Sequence, residues 1–199
     1  SRLFKTAIAN GLVAKYQCGS IKKRSTSDAA NRLFHEIDIL QKLGYEVSTA
    51  FLDIKGAFDN ITHSKLEDRL KEGDVEEYLT GWIMSFLGER SIQMVFKGAS
   101  KKFFSVSVGS PQGSPLSPLL FVIYVAPLHE CKDPQTRVSF VDDFAVTTYS
   151  LAHALNVPKL EGQYDDMEKQ GELLDIKFSP EKSEVIHWTR IHQHNCQDK

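Results

Sequence analysis

Asp142 and Asp143 stand side by side between two apolar runs, Val138-Ser139-Phe140-Val141 and Phe144-Ala145-Val146. Adjacent carboxylates repel, and setting them against hydrophobic strands costs free energy unless something cationic compensates. The pattern predicts a strand–turn–strand with both acids at its tip. For hard oxygen ligands of this kind the usual cation is Mg²⁺.

A third carboxylate is found upstream. Val47-Ser48-Thr49-Ala50-Phe51-Leu52 reads as a buried strand ending at Asp53, followed by the glycine-containing turn Ile54-Lys55-Gly56-Ala57 and then Phe58-Asp59. A strand fixes such an acid while the loop after it leaves room for a ligand. Taken alone, Asp53 reads as an ordinary turn-capping residue; paired with the Asp142-Asp143 tip it reads as functional. Asp165-Asp166 supplies a control. It sits beside a helical stripe of Leu160, Tyr164, Met167 and Leu174, so it is expected to be solvated, and an acidic pair without flanking strands carries little weight.

The chain has 199 residues, enough for one well-buried domain or a domain plus an appendage. The longest apolar stretch, Leu119 to Pro127, is too short for a membrane span, and no secretory signal pattern opens the chain. Three scattered cysteines, Cys18, Cys131 and Cys196, suit a reducing compartment, hence an intracellular location, nuclear or cytoplasmic. The formal net charge of −2 counts against a nucleic-acid binder. Local basic clusters offset that: Lys22-Lys23-Arg24, and Lys97, Lys101 and Lys102 around a predicted hairpin turn.

Periodicity predicts a helix through Lys42 with caps offered by Ser25-Thr26-Ser27 and a face of Ala30, Phe34, Ile37 and Leu40. A strand over Val47–Asp53 follows, then a short helix from Ser64 to about Lys71. Val75, Leu79, Trp82 and Phe86 mark a second helix ending at Gly88. Ile92–Phe96 and Phe103–Val108 read as strands joined by Lys97-Gly98-Ala99-Ser100. Ser117 is expected to cap a buried helix to about Leu128, with Pro118 at its first position. The acidic hairpin spans Arg137–Phe140 and Phe144–Tyr149. A helix from about Pro158 to Leu174 and a strand over Glu184–Trp188 complete the pattern, before a polar, disordered tail over 191–199. This order gives an α+β fold: a split βαβ, ferredoxin-like sheet with helices on one face.

The second informative segment is Gly109-Ser110-Pro111-Gln112-Gly113-Ser114-Pro115-Leu116-Ser117-Pro118. Its glycines let backbone approach a ligand, its prolines stiffen the loop, and Gln112 offers a donor and an acceptor. A plain strand-to-helix connector would explain any one of these residues, but poorly the whole run.

Together, Phe51-Leu52-Asp53 with Ala57-Phe58-Asp59, the Gly109–Pro118 loop running on into Leu119-Leu120-Phe121, and Phe140-Val141-Asp142-Asp143 resemble reverse transcriptases, most of all those of non-LTR (LINE-type) retrotransposons. Gln17-Cys18-Gly19-Ser20-Ile21-Lys22-Lys23-Arg24-Ser25-Thr26-Ser27-Asp28 resembles that group's finger motif. Ser179–Arg190 resembles its late palm motif, in a form similar to fungal elements. The resemblance spans roughly Gln17 to Arg190.

What the resemblance implies is a polymerase palm over 47–190, with a fingers-like insertion at about 60–108 and partial fingers over 1–46. It implies two-metal nucleotidyl transfer of dNTPs onto a DNA primer 3′-hydroxyl along an RNA template. Asp53 and Asp142 would bridge two Mg²⁺ ions, with Mn²⁺ as an alternative, the Ile54 carbonyl as a further ligand, and Asp143 in support. Phe58 would exclude a 2′-hydroxyl, Gln112 and Gly113 would line the nucleotide and template pocket, and Lys182 would donate a proton to pyrophosphate. Lys22, Lys23 and Arg24 would touch the template backbone. Val141 departs from the small residue common at that place, and Pro180-Glu181-Lys182-Ser183 matches its pattern loosely. The family's triphosphate-clamping basic residues would precede Ser1 and its thumb would follow Lys199, so the remaining fingers and thumb of a longer polyprotein are expected partners.

Other readings compete. One is a catalytically inactive reverse-transcriptase-like domain that binds nucleic acid or protein. A metal-dependent nuclease leaves the Gly109–Pro118 loop without a role, and Phe58 speaks against an RNA-directed RNA polymerase. His192-x-His194-x-Cys196 has zinc-ligand residue types, but in a frayed tail such spacing ordinarily means nothing.

Overall fold

The computed structural model describes residues 2–88, 90–93, 95–96, 99–100, 103–131 and 136–189. Lys97, Lys101, Lys102, Arg190 and the 191–199 segment with its His and Cys residues lie outside them. Helix α1 (Arg2–Ala9) escapes the periodicity reading because only Leu3 and Ala7 are buried in it. Helix α2 (Thr26–Lys42) starts on a reciprocal cap. The Ser25 hydroxyl accepts from the Asp28 amide, and the Asp28 carboxylate accepts from the Ser25 amide at 2.7 Å. Its buried face is Leu33 and Ile37, whereas Phe34 of the expected face is 54% exposed and stands edge-on to Trp188 at 5.8 Å.

Strand β1 (Glu46–Asp53) leads into a 3₁₀ turn at Ala57–Asn60, then α3 (His63–Glu72) and α4 (Glu77–Gly88). The face of α4 is rotated from expectation. Thr80, Ile83 and Leu87 are buried, while Trp82 is 52% exposed and stacks on Phe86. In place of the two expected strands stand four two-residue strands, one of them Ala99–Ser100 in the expected turn. These are β2 (Ser91–Ile92), β3 (Val95–Phe96), β4 (Ala99–Ser100) and β5 (Phe104–Ser105), with β2 on β5 and β3 on β4.

Helix α5 (Ser117–Tyr124) buries every residue but Pro118, each large side chain being worth roughly 1.5–3 kcal/mol. Ser117 lies inside this helix instead of capping it, and its hydroxyl donates to the Pro111 carbonyl at 2.7 Å. The α-helix stops at Tyr124, and a 3₁₀ turn over Ala126–His129 completes the expected span. Strands β6 (Thr136–Phe140) and β7 (Asp143–Ser150) form the acidic hairpin. Helix α6 (His153–Leu173) begins five residues before Pro158, which is therefore internal and cannot donate to the carbonyl one turn back. Strand β8 (Glu184–Trp188) ends the fold.

The sheet order is β6-β7-β1-β8, antiparallel throughout. Strand β1 reaches β6 through α3–α5, and β7 reaches β8 through α6, which is the split βαβ topology. Ala50, Leu52, Phe144 and Val146 join the α5 and α6 side chains in the main core. The alternate residues Val47 and Ala145 meet Leu33 and Ile37, so α2 adds cover on the opposite face.

Arg137, fully buried, and His129, half-buried, are two polar groups set in this frame. The Arg137 side chain, on β6, is fully buried and donates to the Leu128 and Glu130 carbonyls, to Gln163 and Gln170, and to Asp166 at 2.6 Å. Asp165 is exposed as expected, but Asp166 is not merely solvated: it is the counterion of a buried guanidinium. His129 bonds the Arg137 carbonyl and the Ser139 hydroxyl, and burial pushes its pKa from 6.5 to about 4. A neutral His in the fold binds fewer protons than the unfolded chain. Stability is thus whole above about pH 6.5 and falls as pH drops toward 4, by up to about 3 kcal/mol. Urea midpoints measured between about pH 7.5 and 4.5 test this. His129→Gln is expected to flatten the dependence, and an unchanged slope removes His129 as its source.

Candidate active site

The strand register decides the geometry. Asp53, last residue of β1, is the direct cross-strand partner of Asp143, first residue of β7, and Asp142 is the turn residue just before it. Three acidic residues therefore stand at one end of the two central strands. Lys182, in the 3₁₀ turn before β8, places its ammonium 3.1 Å from Asp53 Oδ2. Burial, then the charges of Asp143 and Asp53, raise the Asp142 carboxyl above its usual range, with Lys182 opposing. The Asp53 carboxylate in turn raises the Lys182 ammonium. A site with surplus negative charge favours a cation.

The Ile54 backbone follows directly. Ile54 and Phe178 form an antiparallel bridge whose bonds run from Lys55 N–H to Lys177 and from Ser179 N–H to Asp53, leaving the Ile54 carbonyl outside that pair. Among the described residues no three His, Cys, Asp or Glu side chains are gathered to hold an ion by themselves. Asp53, Asp143 and Lys182 border a cavity of about 440 Å³ walled by Phe51, Phe140, Leu33 and Phe34.

Phe58 packs its ring on Phe121 at 5.0 Å and is half-buried. Its carbonyl accepts from Ser110, and Gly109 donates to Ile61, which ties the glycine-proline loop to the turn after β1. Gly109 is obligatory there: at φ +77 a Cβ would stand 2.7 Å from the Asp59 carbonyl oxygen. His63 and Arg90, which the sequence did not single out, both bond the Gly109 carbonyl, at 2.8 and 2.6 Å. Gln112 is exposed and donates to Asp59 at 3.2 Å, and Gly113 faces open space. Gly109, Ser110, Pro111 and Gln112, but not Gly113, border a separate depression of about 400 Å³.

Lys22 and Arg24 border a third hollow with Pro115 and Leu119. Lys22 and Lys23 are exposed. Arg24 is already engaged, its guanidinium donating to the Lys15 and Gln17 carbonyls. Gln17 stands in the finger motif, but the sequence gives it no role. It is fully buried and bonded to Val141 at the hairpin tip. A glutamine gives no periodic signal, so only the fold exposes it.

The pattern of the family described as reverse transcriptase (RNA-dependent DNA polymerase) matches residues 1–197, and the chain belongs to that family. It is 28% identical over 153 residues to the probable RNA-directed DNA polymerase from transposon X-element of Drosophila melanogaster, covering 73% of this chain and 16% of that protein. It is 26% identical over 191 residues to the RNA-directed DNA polymerase from mobile element jockey of the same fly, covering 92% of this chain and 20% of that protein. The chain thus spans about a fifth of the length of these curated relatives. They place it with the LINE-type group. A telomerase structure from Candida tropicalis superposes with a TM-score of 0.69 at 14% identity, over 94% of this chain and 33% of that one. A Candida albicans telomerase gives 0.67 at 16%, over 94% and 34%. These two likenesses concern the fold, and they agree with a polymerase palm. Reverse transcriptases use divalent metal ions as a family. Among the described residues no helix is long and apolar enough to cross a membrane.

Proposed function

We propose that this chain is the palm, with part of the fingers, of an RNA-directed DNA polymerase that adds deoxynucleotides to a primer 3′-hydroxyl. The palm is residues 47–190, with 60–108 as a fingers-like insertion and 1–46 as the fingers part. The observation that carries this reading is the register: Asp53 opposite Asp143, beside Asp142, with a lysine ammonium resting on Asp53. Mg²⁺ ordinarily takes one or two carboxylates and fills its shell with substrate phosphate and water, not an all-protein cage. The donor set fits that habit. Asp53 and Asp142 would hold two such ions, with the Ile54 carbonyl as a further ligand and Asp143 in support; Mn²⁺ would suit the same oxygens.

Bound there, such ions lower the pKa of an attacking hydroxyl and balance charge on the leaving pyrophosphate. The chain's own residues do the rest. Asp53 holds the Lys182 ammonium at the site and raises it, and Lys182 is the proton donor to pyrophosphate. Phe58, braced on Phe121, presents its ring to the sugar's 2′ position. Gln112 and Gly113 form the nucleotide and template wall, and Lys22, Lys23 and Arg24 lie toward template phosphates. The RNA template, DNA primer and dNTPs are its ligands, and the other fingers and thumb segments of a longer polyprotein are its structural partners.

Primer extension tests this, using the chain joined to flanking segments of the length its relatives have, with Mg²⁺ and an RNA template. Extension supports the reading. RNA binding without extension moves the chain to the non-catalytic alternative, which its net charge of −2 disfavours as a general nucleic-acid binder. Phe58→Ala is expected to lower the preference for deoxy- over ribonucleotides by roughly 10- to 200-fold, measured as the ratio of kcat/KM values. An unaltered ratio removes Phe58 from that role.

A further inference from the structure

We propose that Gln17 is a positioning residue for the acidic hairpin: its buried amide clamps Val141 and so fixes the direction in which Asp142 and Asp143 leave the turn. This rests on the polymerase reading for its functional meaning, although the clamp itself is a matter of geometry.

Gln17 has no exposed surface. Its Oε1 accepts from the Val141 N–H at 2.9 Å and from the Gly19 N–H at 2.7 Å, and its Nε2 donates to the Val141 carbonyl at 3.1 Å. One side chain thus takes both backbone groups of one residue, the residue that precedes Asp142. Val141 has φ +61, a left-handed conformation that a β-branched side chain resists and that persists only where surroundings impose it. The Gln17 amide supplies bonds the turn cannot make for itself.

The clamp is itself anchored. Cys18 N–H donates to the Ser139 carbonyl at 2.8 Å, and Ser139 N–H to the Tyr16 carbonyl at 3.2 Å, which zips residues 16–18 onto β6. Arg24 holds the Gln17 carbonyl from outside. Gly19 completes the mould: a Cβ there would lie 2.3 Å from Val141 Cγ2 and 2.4 Å from its nitrogen. The finger segment and the acidic tip, more than a hundred residues apart in sequence, are cast against each other. Groups that orient metal-ligating carboxylates typically alter metal affinity 10- to 100-fold when removed.

The test reads amide hydrogen exchange and Mn²⁺ titration on the whole chain. In Gln17→Ala, the Val141 and Gly19 amides are expected to exchange at least about 10-fold faster while β1 and α5 amides keep their protection. Mn²⁺ binding weakens roughly 10- to 100-fold. Val141→Gly added to Gln17→Ala is expected to recover most of the Mn²⁺ affinity, because glycine takes this conformation unaided. Gln17→Met keeps the length of the side chain, loses all three bonds and is expected to speed Val141 exchange as Gln17→Ala does, which covers the case in which Gln17→Ala does not fold. Unchanged Val141 exchange in Gln17→Ala or Gln17→Met, or a rise shared equally by all core amides, overturns the proposal. The polymerase reading fails separately, if Asp142→Asn leaves Mn²⁺ binding as it was.

Discussion

Asp53→Asn is expected to lower Mg²⁺-dependent primer extension on the order of 10³-fold while leaving the fold as stable as before, or slightly more so. The two halves of this expectation have one cause. Asp53 stands opposite Asp143 and adds to the field that raises the Asp142 carboxyl. Removing its charge relieves repulsion in the folded state but takes away a ligand that bridges the proposed ions. The lost pair with Lys182 weighs little, because that lysine side chain is 64% exposed and water screens it. Asn has the same shape, so β1 keeps its register. Extension rates and thermal melts of the two proteins check both halves. Activity within tenfold of native excludes Asp53 from the reaction, and a large drop in Tm reassigns it to structure.

Arg137→Ala is expected to destabilise the chain by roughly 3–5 kcal/mol, a large share of the ~5–15 kcal/mol that holds a domain together. The guanidinium is the hub between β6, the 3₁₀ turn after α5, and α6. Gln163, Asp166 and Gln170 follow one another at helical spacing and all point at it. Truncation leaves the Leu128 carbonyl without its donor, while the Glu130 carbonyl keeps only Gln170, and it opens a cavity in the core. Asp166→Asn is expected to cost less, because it removes the counter-charge and keeps an acceptor. Denaturant midpoints measure both. A loss under about 1 kcal/mol for Arg137→Ala shows that water has replaced the lost bonds.

Much of the fold was legible because its signals are local. The capped helix after Ser25, the apolar strand ending at Asp53 and the all-apolar helix after Pro118 announce themselves through composition and spacing. Helix faces were read less well. Phe34 and Trp82 are large and apolar, so a pattern of hydrophobicity assigns them inward, yet both are more than half exposed. Burial depends on what covers a face, and Leu33 and Ile83 are the side chains that neighbouring elements cover. Asp166 was misread for the same reason, its partner being an arginine 29 residues away that nothing local marks as buried.

The chemistry on offer is written locally: three acids at strand ends, a stiff glycine-proline loop, an aromatic five residues after the first acid, and their order along the chain. These depend on residue type and short-range spacing, which linear sequence carries in full. Which groups meet is set by long-range packing. Pairing β1 with β7 in one register sets Asp53 against Asp143, and a slip of a single residue would turn Asp53 to the other face of the sheet. Gln17 reaching Val141, Lys182 reaching Asp53 and Arg137 reaching Asp166 are contacts between distant segments, fixed when packing and hydrogen-bond satisfaction are settled for the whole chain at once.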